Sequence, residues 1–153
     1  MGVAAGRLAG LMRDAFAGDP WHGPSVLACL AGLDAAGAAA RPVPGAMTVW
    51  ELVAHLAFTQ RVILRRLAGE AVAEGDGQFD PPPEPTEANW QAALDALRQQ
   101  EDELIAAVAA LPDERLAGRF ADGGQVSANL VGHLQHHAYH GGQIRLLRRL
   151  LGR

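Results

Sequence analysis

The chain contains no lysine; all thirteen of its basic residues are arginine. That removes a Schiff-base lysine and a P-loop lysine, and with them most pyridoxal-phosphate and Walker-type nucleotide chemistry. There is one cysteine, Cys29. No disulfide can form within the chain, and no cysteine-rich zinc site can be built. No apolar run approaches the ~20 residues that span a bilayer, so no membrane partner is expected. The opening Met-Gly-Val-Ala-Ala-Gly-Arg lacks a signal-peptide layout, and the expected location is cytoplasmic. The glycine-rich dinucleotide fingerprint, the serine nucleophile elbow and the zincin His-Glu-x-x-His motif are all absent. Net charge is −4, which argues against a general polyanion binder and against nucleic acid as partner.

What remains is an ordinary globular composition, 49% hydrophobic and 20% charged, over 153 residues. That length favours a single domain, 1–153, with a real core. The periodicity is helical throughout. Val3, Leu8, Leu11, Met12 and Phe16 mark a helix over 3–17, which Gly18-Asp19-Pro20 ends. Val26, Leu27, Leu30 and Leu33 mark a short helix to about residue 35, followed by a linker through Arg41-Pro42-Val43-Pro44-Gly45. Thr48-Val49-Trp50-Glu51 reads as a capping box opening a helix to about Leu67, with an apolar stripe through Leu52, Val53, Leu56, Ile63, Leu64 and Leu67. Residues 69–85 read as a long loop, either a solvated crossover or a lid. Thr86 caps a helix over about 87–111, striped by Trp90, Leu94, Leu97, Leu104, Ile105 and Val108. An irregular stretch, 112–125, precedes a last helix over about 126–151. Long helices with crossovers predict an all-α four-helix bundle with an extra short helix near the N-terminus.

Four of the six histidines fall within 133–143, as His-Leu-Gln-His-His-Ala-Tyr-His-Gly-Gly-Gln. Neutral imidazole is the commonest protein ligand for transition metals. Residues four apart share a helix face, so His136 and His140 can point at one ion, and so can His133 and His137. Spacing leaves both registers open. For any one histidine, a hydrogen-bonded core position is the plainer reading; for four together, metal binding leads. A third ligand has to come from another helix. Mid-helix His55, flanked by apolar residues, stands ahead of His22, which sits in a loop after Trp21.

Glu51-Leu-Val-Ala-His55-Leu and His136-His-Ala-Tyr-His140-Gly-Gly-Gln143-Ile, with Trp21-His-Gly-Pro-Ser25 and Leu111-Pro-Asp-Glu-Arg-Leu116, resemble the DinB-like (DinB/YfiT-type) superfamily over nearly the whole chain. The resemblance implies a four-helix bundle holding one divalent transition metal (zinc, nickel, iron or manganese) on three histidines. By position these are His55, His136 and His140. Other members often carry arginine after the last ligand, where this chain has Gly141. The resemblance also implies a metal-dependent transferase, isomerase or hydrolase acting on a small molecule, with a low-molecular-weight thiol as cosubstrate. The alternative is a non-catalytic metal-binding or stress-linked interaction protein.

Three neutral ligands leave open positions, the layout of a catalytic rather than a closed site. His133 and His137 are then candidates for proton transfer. Gln143, Glu51 and Thr59 lie one turn from ligands and are placed to support them. Tyr139 and Trp50 either pack or turn a polar tip to substrate, and Cys29 reads as a small core residue with no cationic neighbour in sequence. Arg145, Arg148, Arg149 and Arg153 suit the C-terminal end of a helix dipole. Outward Trp, Phe and Leu side chains with the Arg-rich last helix lead to the expectation of a homodimer.

Overall fold

A computed structural model describes residues 2–72 and 84–152. Three of the four long helices start where a side chain satisfies free N–H groups, α7 being the exception. α1 (Val3–Ala17) is capped from a distance: the Asp113 carboxylate accepts from the N–H groups of Val3, Ala4 and Ala5 at 3.0, 3.0 and 3.1 Å. α2 (Val26–Leu30) begins at Ser25, whose hydroxyl accepts from the Ala28 N–H. α3 (Ala35–Ala39) begins at Asp34, which accepts from the Gly37 N–H at 2.7 Å. α4 (Val49–Leu67) has the full reciprocal box between Thr48 and Glu51. α5 (Glu87–Ala110) starts at Thr86, α6 (Asp113–Leu116) follows Pro112, and α7 (Val126–Leu150) follows Gln125.

Two short helices differ from the expected layout. The segment starting at residue 26 stops at Leu30, not near 35, because Ala31 turns to ψ 132° and Gly32 takes φ +72°, closing a tight turn from Leu30 to Leu33. Asp34 then restarts the chain as α3 inside the expected linker. Glu87 holds that restart in place, its carboxylate accepting from the Ala35 N–H at 3.0 Å. α6 lies within the stretch expected to be irregular. Its Asp113 is the residue that caps α1, which gives the Leu111–Leu116 motif a structural purpose. Of the expected 69–85 loop and its lid reading, residues 73–83 lie outside the described residues.

α1, α4, α5 and α7 form the four-helix bundle: α4 packs on α5 and α7, and α1 packs on the same two helices. α2 lies on α1 and α7, and α3 on α4 and α5. The described residues form no strand and only one isolated bridge, between Arg119 and Gln125. No helix among them is long and apolar enough to cross a membrane.

The core has two apolar clusters. One gathers Phe16, Trp50, Leu56, Trp90, Leu97 and Ile144. The other gathers Met12, Ile63, Leu104, Val108, Val126 and Leu130. In sequence order along each helix, polar residues separate the two: Gln60 on α4, Glu101 on α5, and His133 and His137 on α7. All four are buried, Gln60 and Glu101 completely. Each occupies a position that the three-four spacing of its helix sends into the core.

Candidate metal centre

α7 turns Val126, Leu130, His133, His137, His140 and Ile144 inward, as helical spacing requires, with His136 at the edge of that face. On α4, His55 is buried beside Leu56. The two helices bring three imidazoles together. His55 Nε2 lies 2.9 Å from His136 Nε2, and His140 Nε2 lies 2.8 Å from the same atom. The second nitrogen of His140 is also engaged: Nδ1 donates to Gln143 Oε1 at 2.6 Å. Donation from Nδ1 leaves the Nε2 lone pair free to face the cluster, the usual way an outer oxygen orients a metal-bound histidine. Gln143 in turn donates to the Tyr139 hydroxyl at 3.2 Å.

Burial disfavours charge on two of these rings. Burial, followed by the neighbouring His140, His55 and His133, pushes His136 down to about 3. Burial also lowers His140, against the opposing effect of its hydrogen bond to the Gln143 oxygen. Three neutral imidazoles with converging Nε2 atoms repel through their lone pairs unless a proton or a cation sits among them. That donor set fits a borderline divalent ion such as zinc, nickel or iron(II). His55, His136 and His140 form one of two groups among the described residues that could hold a metal ion.

The second group is Glu101, His133 and His137. Both histidine registers open in the sequence are therefore used, by different partners. Glu101 Oε2 lies 3.0 Å from His133 Nε2 and 3.6 Å from His137 Nε2, and it accepts from Gln60 Nε2 at 2.9 Å. Burial and then the other histidines hold His137 well below the ordinary imidazole value. The sequence reading missed Glu101 and Gln60. The signal was present as a break in each apolar stripe, at the core position between Leu97 and Leu104 and at the one between Leu56 and Ile63.

Beside the first group is a cavity of about 460 Å³, with His133 and His136 in its wall. Phe58, Val62 and Ile63 give it an apolar side, while Thr59, Arg66 and Asn129 give it a polar one. Arg66 is paired with Asp122 at 2.7 Å and donates to Asn129. His137 lies deeper, 5.6 Å from the Phe16 ring.

Other candidates fall elsewhere. His22 is exposed and joins neither group. Glu51 is committed to Thr48 and to Arg41, whose guanidinium lies 2.6 Å away, and Arg41 also reaches the Ala46 carbonyl. Thr59 donates to the Leu56 carbonyl at 2.8 Å. Trp50 packs against Trp90 in the core, whereas Tyr139 is largely exposed. Cys29 is a core residue, as expected, but Arg145 and Arg148 do lie near it; burial outweighs them and raises the thiol. Arg148 does more than face a helix end: it donates to the carbonyls of Cys29 and Ala31 at 2.7 and 2.8 Å and ties α2 to α7.

No curated protein matches the chain. Residues 22–144 match the family model of the DinB superfamily, a span from the loop before α2 to the turn of α7 beyond His140. Helical bundle, paired inward histidines and this match agree, and the chain belongs to the DinB superfamily, whose members are generally metal-binding.

Proposed function

We propose that the chain is a metal-dependent enzyme acting on small molecules, with the ion held by His55, His136 and His140. Thiol S-transfer, isomerisation and hydrolysis are the reaction classes in view, the first two with a low-molecular-weight thiol as cosubstrate. One observation carries this reading: three imidazole nitrogens converge, and one of the three rings, His136, lines an open cavity of about 460 Å³. A closed structural site would lack the adjoining space. Bound there, a divalent ion supplies a Lewis acid that lowers the pKa of a water or thiol ligand.

The protein's own residues do the rest. Gln143 fixes the His140 ring through Nδ1 and so aims its Nε2. Burial keeps His136 unprotonated and ready to act as a ligand at neutral pH. Phe58, Val62 and Ile63 offer apolar contact to the body of a substrate, and Thr59 and Asn129 offer hydrogen bonds to its polar groups. Among the described residues no lysine or cysteine lines this cavity as a competing nucleophile.

The test is turnover with a panel of thiols and electrophiles, comparing metal-loaded protein, chelator-stripped protein and His140→Ala. Activity confined to the loaded wild type is expected. Equal rates in all three would overturn the metalloenzyme reading and leave a non-catalytic metal-binding role.

A further inference from the structure

We propose that Glu101, His133 and His137 form a second cation site, inside the bundle and separate from the three-histidine group. Its ligand is a divalent first-row metal ion, of the class that accepts two imidazoles and one carboxylate.

The first support is geometric. Glu101 Oε2 faces both Nε2 atoms, at 3.0 and 3.6 Å. The rings of His133 and His137 stand edge to face with centroids 4.3 Å apart, so the two nitrogens and the oxygen converge from α7 and α5. Ligands held at ~2.0–2.2 Å around one tetrahedral ion are separated by roughly 3.3–3.6 Å, close to these spacings.

The second support is the unmet bonding in the cluster. His137 is 1% exposed and has no hydrogen bond at either ring nitrogen. Glu101 is wholly buried, yet its Oε1 has no partner, and neither has Oε1 of the equally buried Gln60. Buried polar atoms are rarely left unpaired, and several in one place point to something that belongs among them.

The third support is charge. The ion-pair partners of Glu101 among the described residues are both histidines. A carboxylate out of water needs a compensating charge. A dication satisfies the carboxylate and both nitrogens together, displacing any proton shared between Glu101 and His133. The cavity beside the first site has His133 in its wall, so the cluster lies directly behind that wall. The ion would link α5 to α7 through the layer between the two apolar clusters. In this assignment His133 and His137 are ligands, in place of the proton-transfer role suggested by sequence.

The experiment is Co(II) titration of the chelator-stripped full chain, with anomalous diffraction at the cobalt edge on soaked crystals. Two equivalents and two peaks are expected, one peak between Glu101, His133 and His137. Glu101→Gln keeps the size of the side chain and should lose one equivalent while keeping the peak at His55, His136 and His140. His140→Ala should do the reverse. A single peak at the three-histidine group overturns this proposal and leaves the proposed function intact. A single peak at Glu101 supports it and counts against the three-histidine site. No cobalt in the Glu101 cluster of saturated wild-type crystals, whatever else is seen, means that protons or water fill it and the second site does not exist.

Discussion

His55 and His136 stand 81 positions apart in sequence, yet their Nε2 atoms meet at 2.9 Å. The meeting is produced by the bundle: α4 and α7 pack side by side, and His55 takes the flank of its helix that borders the cavity shared with α7. His140 then closes the group from one turn further along α7. Its ring is held by Gln143, so the strength of the site should depend on a residue that does not touch the ion.

Accordingly, Gln143→Ala is expected to weaken metal binding by about 10–100-fold, the usual effect of removing the outer partner of a ligating histidine. His140→Ala, His55→Ala and His136→Ala should each cost far more. Competition against a chromophoric chelator measures both. Affinity unchanged in Gln143→Ala would mean that the 2.6 Å contact does not orient the ligand.

Acid should unfold the metal-free protein early. His136 is pushed down to about 3, and His137 and His140 are also lowered, in each case chiefly by burial. The unfolded chain regains the ordinary imidazole value of about 6.5. Below that pH the unfolded state binds protons that the folded state refuses, so the equilibrium moves toward unfolding. Above about 6.5 these groups are neutral in both states and have no effect. The thermal midpoint of stripped protein should be level above pH ~7 and fall as pH drops from ~6.5 toward ~4. A level midpoint across the lower range would show that these rings are not held neutral.

How much was legible in the sequence follows from which signals are local. Apolar stripes are local, and the four long helices fall where they predict; the caps at Thr48 and Thr86 are local as well. α3 and α6 were missed because each is a few residues long and rests on partners far away in sequence, Glu87 and α1 respectively. The histidine density points to metal binding, but spacing cannot choose between registers, and the fold gathers both into groups that could hold an ion. Glu101 and Gln60 leave only a gap in an apolar stripe, because they are polar residues at core positions. Only packing shows that the gaps they leave are core positions. Arg148 was read from its own helix, whereas its partners are carbonyls of α2.

Gly141 separates two substitutions. It is buried on α7, and a Cβ there would meet Cys29 Sγ of α2 at 3.7 Å, an ordinary contact. Gly141→Ala should therefore be tolerated and stabilise the helix interior by up to about 1 kcal/mol. Gly141→Arg has to push its side chain past Cys29 and should destabilise by about 1–3 kcal/mol. Chemical denaturation of the two variants checks the sign of each. Equal stability would show that α2 yields freely, contrary to its double tie through Arg148.

The most remote contact to test is the cap on α1. Asp113 accepts three N–H groups at the start of that helix, and Gly2 donates to the Leu111 carbonyl beside it. A carboxylate at a helix N-terminus both satisfies free donors and complements the dipole. α1 supplies Ala5, Ala9 and Met12 to the second apolar cluster, so loosening its first turn loosens that cluster. Asp113→Ala should cost about 1–2 kcal/mol, and Asp113→Asn, which keeps one oxygen, should cost less. Gly2→Ala should act like Asp113→Ala, because its Cβ would collide with the Asp113 carboxylate. Urea unfolding should show a lower midpoint in both with an unchanged m-value. Metal uptake should stay at the wild-type level, since neither residue belongs to a histidine group. An unchanged midpoint in Asp113→Ala would mean that α1 is held by its buried face alone and that the cap contributes nothing.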